Sequence, residues 1–101
     1  SALRNPRISN RDRGEVNKLL AQYYINKYND LPKGTLLIRK AIDIDDQAPS
    51  RLMYAQALAM QGQFADALGQ LDEAEKLDLK RVHARQIGEE RKMMRQAAAN
   101  Q

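Results

Sequence analysis

Two stretches of this chain, AQYYINKYNDLPKGTLLIRKAIDID and YAQALAMQGQFADALGQLDEAEKLD, are offset copies of one pattern. Moved by 33 positions, Leu19 falls on Leu52, Leu20 on Met53, Ile25 on Leu58 and Leu31 on Phe64. Gly34 then falls on Ala67, Ile38 on Leu71, Ala41 on Ala74, Ile44 on Leu77 and Asp45 on Asp78. A repeat of this length marks supersecondary units that cannot bury their apolar faces alone and must stack. The expected product is a helical-repeat scaffold.

The repeat must be built from Leu, Ile, Ala and Met, because only 5% of the 101 residues are aromatic and none is Trp. That palette favours helix over sheet. No period-2 alternation and no Asn-Gly or Asp-Gly hairpin turn argues for strands. The length allows one domain at most, with a modest core. No apolar run approaches the ~18 residues of a membrane span, and no signal peptide is visible. The opening Ser-Ala-Leu, without Met, reads as a processed chain or a piece of a longer one. The absence of Cys excludes disulfides, thiolate metal sites and cysteine nucleophiles, and leaves the compartment open.

Charge is segregated. Residues 1–14 carry four Arg against one Asp, residues 15–79 seven basic against ten acidic side chains, and residues 80–101 six basic against two acidic. The net +4 therefore sits at the two ends of an acidic middle, which argues against a uniformly basic nucleic-acid surface.

Along the chain, residues 1–12 read as a basic flexible arm or linker, opposed to regular structure by Pro6. Asp12 and Glu15 have capping-box spacing, so a first helix is expected from about Arg13 to Asn29-Asp30. Its apolar stripe would be Val16, Leu19, Leu20, Tyr23, Tyr24 and Tyr28. Asp30 and Pro32 open a second helix, which the acidic run after Ile44 ends at about Asp45. A third helix is expected from Ala48-Pro49-Ser50 through Met60, apolar nearly all round and so buried between neighbours. Gly62 turns the chain. A fourth helix follows from about Phe64 to Leu77, and a fifth from about Lys80, with Val82, Ile87, Met93 and Met94 apolar. Residues 99–101 should fray.

The second unit resembles a tetratricopeptide repeat. Ala55 stands as the small residue of its first helix, Leu58 as the large one after it, and Gly62 as the turn. Phe64, Ala67, Leu71, Ala74 and the Leu77-Asp78 exit complete the match. The physical logic is that only Ala or Gly lets two helices approach near the short end of the usual ~8–10 Å separation. The first unit departs from the pattern, with Gln22 at the small position and Asn29 at the turn. Neither unit has the usual Pro after its exit Asp. Ile87-Gly88 falls 33 residues after Tyr54-Ala55 and suggests a third first-helix or a cap. The resemblance implies an all-α fold over residues 13–98. It would consist of antiparallel helix pairs stacked as a short right-handed solenoid of about five helices.

In that family, ligands lie in a groove lined by the first helix of each pair. Carried over, this implies a partner-binding face of Tyr23, Asn26, Lys27, Gln56, Met60, Arg85 and Glu89, with Leu19, Leu52, Ala59 and Lys92 beside them. The plainer alternative is that Leu19, Leu52 and Met60 are core and that Tyr23 and Gln56 are ordinary packing or solvated surface. The basic-Asn pattern that clamps a terminal carboxylate in some members is missing, so carboxylate capture is not expected.

No residue pattern points to catalysis. His83 is the only histidine, a poor metal site without Cys. Ser1, Ser9 and Ser50 lack a nucleophile elbow, and no glycine loop cradles a phosphate. No cofactor, metal or small-molecule substrate is expected. The leading expectation is a non-catalytic protein–protein interaction or assembly scaffold, able to self-associate through an open solenoid end. The alternative is a soluble appendage of a larger bacterial membrane protein, because residues 49–62 resemble repeat-like tails of O-antigen ligases and glycan polymerases. In that case a membrane enters only through the parent chain. A basic nucleic-acid-binding domain ranks last, with Arg85, Arg91 and Arg95 as its contacts.

Overall fold

A computed structural model describes residues 8–101. The expected arm falls outside the described residues up to Arg7, and its last three residues, 10–12, are helical. Five helices follow in order: α1 (Asn10–Tyr28), α2 (Leu31–Ile44), α3 (Ala48–Met60), α4 (Phe64–Leu77) and α5 (Ala84–Ala99). No strand occurs among the described residues. The chain divides into two compact units, one through Asp46 with α1 and α2, the other from Gln47 with α3, α4 and α5.

In the first unit, α1 starts three residues before the expected Arg13. Ser9 is the cap: its backbone is extended, and its hydroxyl oxygen accepts from the Asp12 N–H at 3.1 Å. A hydroxyl there satisfies an orphan donor as well as an Asp cap would, and Asp12 sits instead in the first turn, facing the helix's positive end. The two-residue link to α2 is fully used. Asn29 takes the left-handed conformation (φ 52°), and its N–H donates to the Tyr24 carbonyl. Asp30 then caps α2, with its carboxylate accepting from the Lys33 N–H at 3.1 Å.

The buried face of α1 is Gly14, Asn17, Lys18 and Ala21. The expected stripe is rotated away: Leu19, Leu20, Tyr23 and Tyr28 are all exposed, Leu19 by 63%. Backbone proximity decides this phase. A Cβ on Gly34 of α2 would stand 2.7 Å from Ile25 Cδ1 and 3.3 Å from the Ala21 carbonyl oxygen. The helices meet where neither side chain intrudes, so the small crossing residue of α1 is Ala21, and Gln22 is exposed. The buried Lys18 ammonium pairs with Glu15 at 2.5 Å, and the Asn17 amide donates to the Arg13 carbonyl at 2.9 Å. Ile38 and Ala41 of α2 are fully buried.

In the second unit, one cluster joins Ala48, Leu52, Ala55 and Leu58 of α3 to Ala67, Leu71 and Ala74 of α4 and to Ile87 and Met94 of α5. Full burial of a side chain such as Leu71 or Ile87 contributes about 1.5–3 kcal/mol. Gly62 (φ 77°) reverses the chain between α3 and α4. Arg51 ties the two together across their sides, donating to Gln70 Oε1 at 2.8 Å.

The fifth helix begins at Ala84, four residues after the expected Lys80. The reason is Asp78, which is buried and whose two carboxylate oxygens accept from the Val82 N–H (3.0 Å) and the His83 N–H (2.8 Å). These bonds hold residues 79–83 in turns, with Arg81 at φ 56° and Leu79 and Val82 exposed. Helix α3 is also not buried all round: Gln56 and Met60 are exposed.

Candidate functional site

The exposed side of α3 forms one wall of an open groove of about 280 Å³ within the second unit. Gln56, Ala59 and Met60 come from α3, and Phe64 closes one end from the start of α4. Helix α5 supplies Glu90, Met93, Met94 and Ala97 at i, i+3, i+4 and i+7, one continuous helical face. Met60 and Met93 are 60% and 64% exposed, so the groove presents two unpinned thioethers above a floor held by buried Met94. Unbranched methionines repack at low cost, which suits a surface that must fit another molecule.

One polar device interrupts this apolar lining. Glu90 Oε1 accepts from the Gln56 amide at 2.5 Å and from the Gln86 amide at 3.4 Å. Its Oε2 is buried and has no hydrogen-bond partner. Among the described residues no cation pairs with Glu90.

The structure divides the expected partner-binding face. Gln56 and Met60 lie in the groove. Tyr23, Asn26 and Lys27 lie on exposed α1 in the first unit. There Tyr23 packs edge-on against Tyr24 and Tyr28 at 5.8 and 5.6 Å between ring centres. The Lys27 ammonium sits 5.5 Å from the Tyr23 ring centre, and Lys33 lies 4.2 Å from that of Tyr24. The Tyr28 hydroxyl is pushed above its ordinary pKa, first by its hydrogen bond with Tyr23, then by lost hydration and by Tyr24. Arg85 and Glu89 do not line the groove. They pair with each other at 3.2 Å on an exposed face of α5.

On α5 the face that lines the groove is thus offset by one residue from the expected set. Arg85, Glu89 and Lys92 lie about 100° around the helix from Gln86, Glu90 and Met93. The stripe at 90, 93, 94 and 97 was present in the sequence as helical spacing, hidden by the stronger charge signal beside it. Arg91 is spent on α4, donating to Asp72 at 2.9 Å and Glu75 at 3.2 Å. Burial lowers its pKa, and the bonds to Glu75 and Asp72 outweigh that and raise it. With Arg85 also paired, two of the three arginines expected to serve nucleic acid are already engaged within the chain.

Among the described residues, no group of three or more His, Asp or Glu is placed to hold a metal ion. Among the same residues, no helix is long and apolar enough to cross a membrane. Comparison with protein-family models, with curated proteins and with solved structures gives no match.

Proposed function

We propose that this chain is a non-catalytic protein-interaction or assembly module, formed by two tetratricopeptide-like helix pairs and a closing helix, that binds a segment of another protein. The observation that carries this reading is the groove of the second unit. It is preformed, apolar and rich in exposed Met, and it is bounded by helices whose buried faces are already satisfied. Rigid helices offering adaptable anchors recur in helix-groove and peptide recognition. The sequence resemblance to tetratricopeptide repeats supports the same reading, because that family uses its first helices in this way.

The test is affinity capture from source lysate with the intact chain and with a Met60→Glu, Met93→Glu double variant. Both side chains are exposed, so helicity by circular dichroism should be unchanged. A protein held by the first and lost by the second is the expected result. A set of captured proteins identical for both forms overturns the groove as the binding surface.

A further inference from the structure

We infer that the groove selects partner segments that carry a Lys or Arg beside an apolar anchor, with Glu90 as the residue that reads the cation. This rests on the interaction-module reading above and gives the partner its chemistry.

Glu90 stands in the wall of the groove with one oxygen satisfied and the other not. Two neutral amides, from Gln56 and Gln86, serve Oε1 and hold the carboxylate in place. Oε2 is buried without a donor. A buried carboxylate oxygen without a partner is costly, and neutral amides orient the charge without cancelling it. Of the four cations on α5, Arg91 is turned to Asp72 and Glu75 and Arg85 to Glu89, and neither Lys92 nor Arg95 pairs with Glu90.

Docking sharpens the demand. A segment laid over Met60, Phe64 and Met93 would exclude water and strengthen every charge beneath it. A purely apolar segment would then leave Glu90 buried and unpaired, and an acidic one would repel it. Glu90 as a whole is only half-buried, so a turn of its carboxylate would bring Oε2 out to an ammonium or guanidinium on the segment, forming a charge-assisted hydrogen bond instead. The same carboxylate thus rewards one partner class and penalises two others, which is how specificity arises as a difference of affinities.

The test is selection of a displayed library of random 12-residue peptides on the intact chain, followed by affinity measurement of enriched peptides by fluorescence anisotropy. The enriched peptides should carry Lys or Arg next to Leu, Met or Phe. They should lose about 10- to 100-fold in affinity for Glu90→Gln, which keeps the shape and removes the charge. Met93→Glu should abolish binding, and Gly88→Ala, on the same helix outside the groove, should leave it unchanged. Enriched peptides that lack a cation, or that bind Glu90→Gln equally well, overturn the inference and leave the interaction module standing. Dimerisation of the intact chain that is lost in Met93→Glu also overturns it, because a second copy would then own the groove. No enrichment of any peptide counts against both.

Discussion

In the first helix pair, the close approach is made by Ala21 against Gly34. In the second, the fully buried small residues are Ala55, Ala67 and Ala74. The second helices of the two pairs correspond at an offset of 33: Gly34 with Ala67, Ile38 with Leu71, Ala41 with Ala74, all buried. The first helices correspond at 34: Gly14 with Ala48, Lys18 with Leu52, Ala21 with Ala55, again all buried. The first pair holds one more residue between its crossing point and its turn. One residue rotates a helix by about 100°, enough to move Leu19 to the surface while Leu52 is buried. The lesson is that a repeat can keep its turn and its second helix while its first helix presents a different face.

The comparison yields graded tests. The largest effect should come from Leu71→Ala and Ile38→Ala, each costing about 2–5 kcal/mol by denaturant unfolding. Equal losses would support the equivalence of α2 and α4. A much smaller loss for Ile38→Ala would break it.

Next comes glycine. Gly34→Ala should destabilise by about 1–3 kcal/mol, because the new methyl meets Ile25 and the Ala21 carbonyl. Gly69→Ala and Gly88→Ala meet nothing within 4 Å and should each stabilise by about 0.5–1 kcal/mol. All three changing melting temperature in the same direction would show that close approach is not what demands glycine at 34.

Asp78→Ala should cost about 1–2 kcal/mol, as loss of a capping acceptor does. Amide exchange at Val82 and His83 should accelerate most. A uniform change across α5 would mean that Asp78 does not act through those two N–H groups.

At the turns, Gly62→Ala should cost about 1 kcal/mol for a Cβ in the left-handed region. Asn29→Gly should move stability by only a few tenths of a kcal/mol, since Asn tolerates that conformation. The smallest effect is electrostatic. With Tyr28 raised above the ordinary tyrosine value of about 10, its neutral form is favoured in the folded chain. Its contribution is therefore full below that pH and is lost as pH climbs through the raised value. An ultraviolet titration should show a late tyrosine component that Tyr28→Phe removes.

Much of this was legible in residues whose chemistry leaves few options. Asp30 and Pro32 gave the start of α2, Gly62 and Asn29 the two turns, and Ala67, Leu71 and Ala74 the inner face of α4. The phase of α1 was not legible, because Leu19, Leu20 and three tyrosines outweigh Gly14, Asn17 and Lys18 on any scale of apolarity. Backbone proximity, which no single residue announces, chose the smaller set. The start of α5 was missed because Asp78 looked like the end of one helix when it also organises the entry to the next. In the groove, Gln56 and Met60 were found as positions on α3, whereas Glu90 lay next to the louder charges of Arg91 and Lys92.

Arg91 has a consequence beyond its ion pairs. One planar guanidinium reaching two acids a turn apart on α4 acts as an angular stop, fixing how far α5 can roll about its own axis. The neighbouring side chain is then aimed about 100° away by helix geometry alone, and that neighbour is Glu90. A lysine at 91, a point charge on a flexible stem, would keep the charge balance and release the stop, so the heading of the groove's carboxylate is set from an adjoining face of the helix.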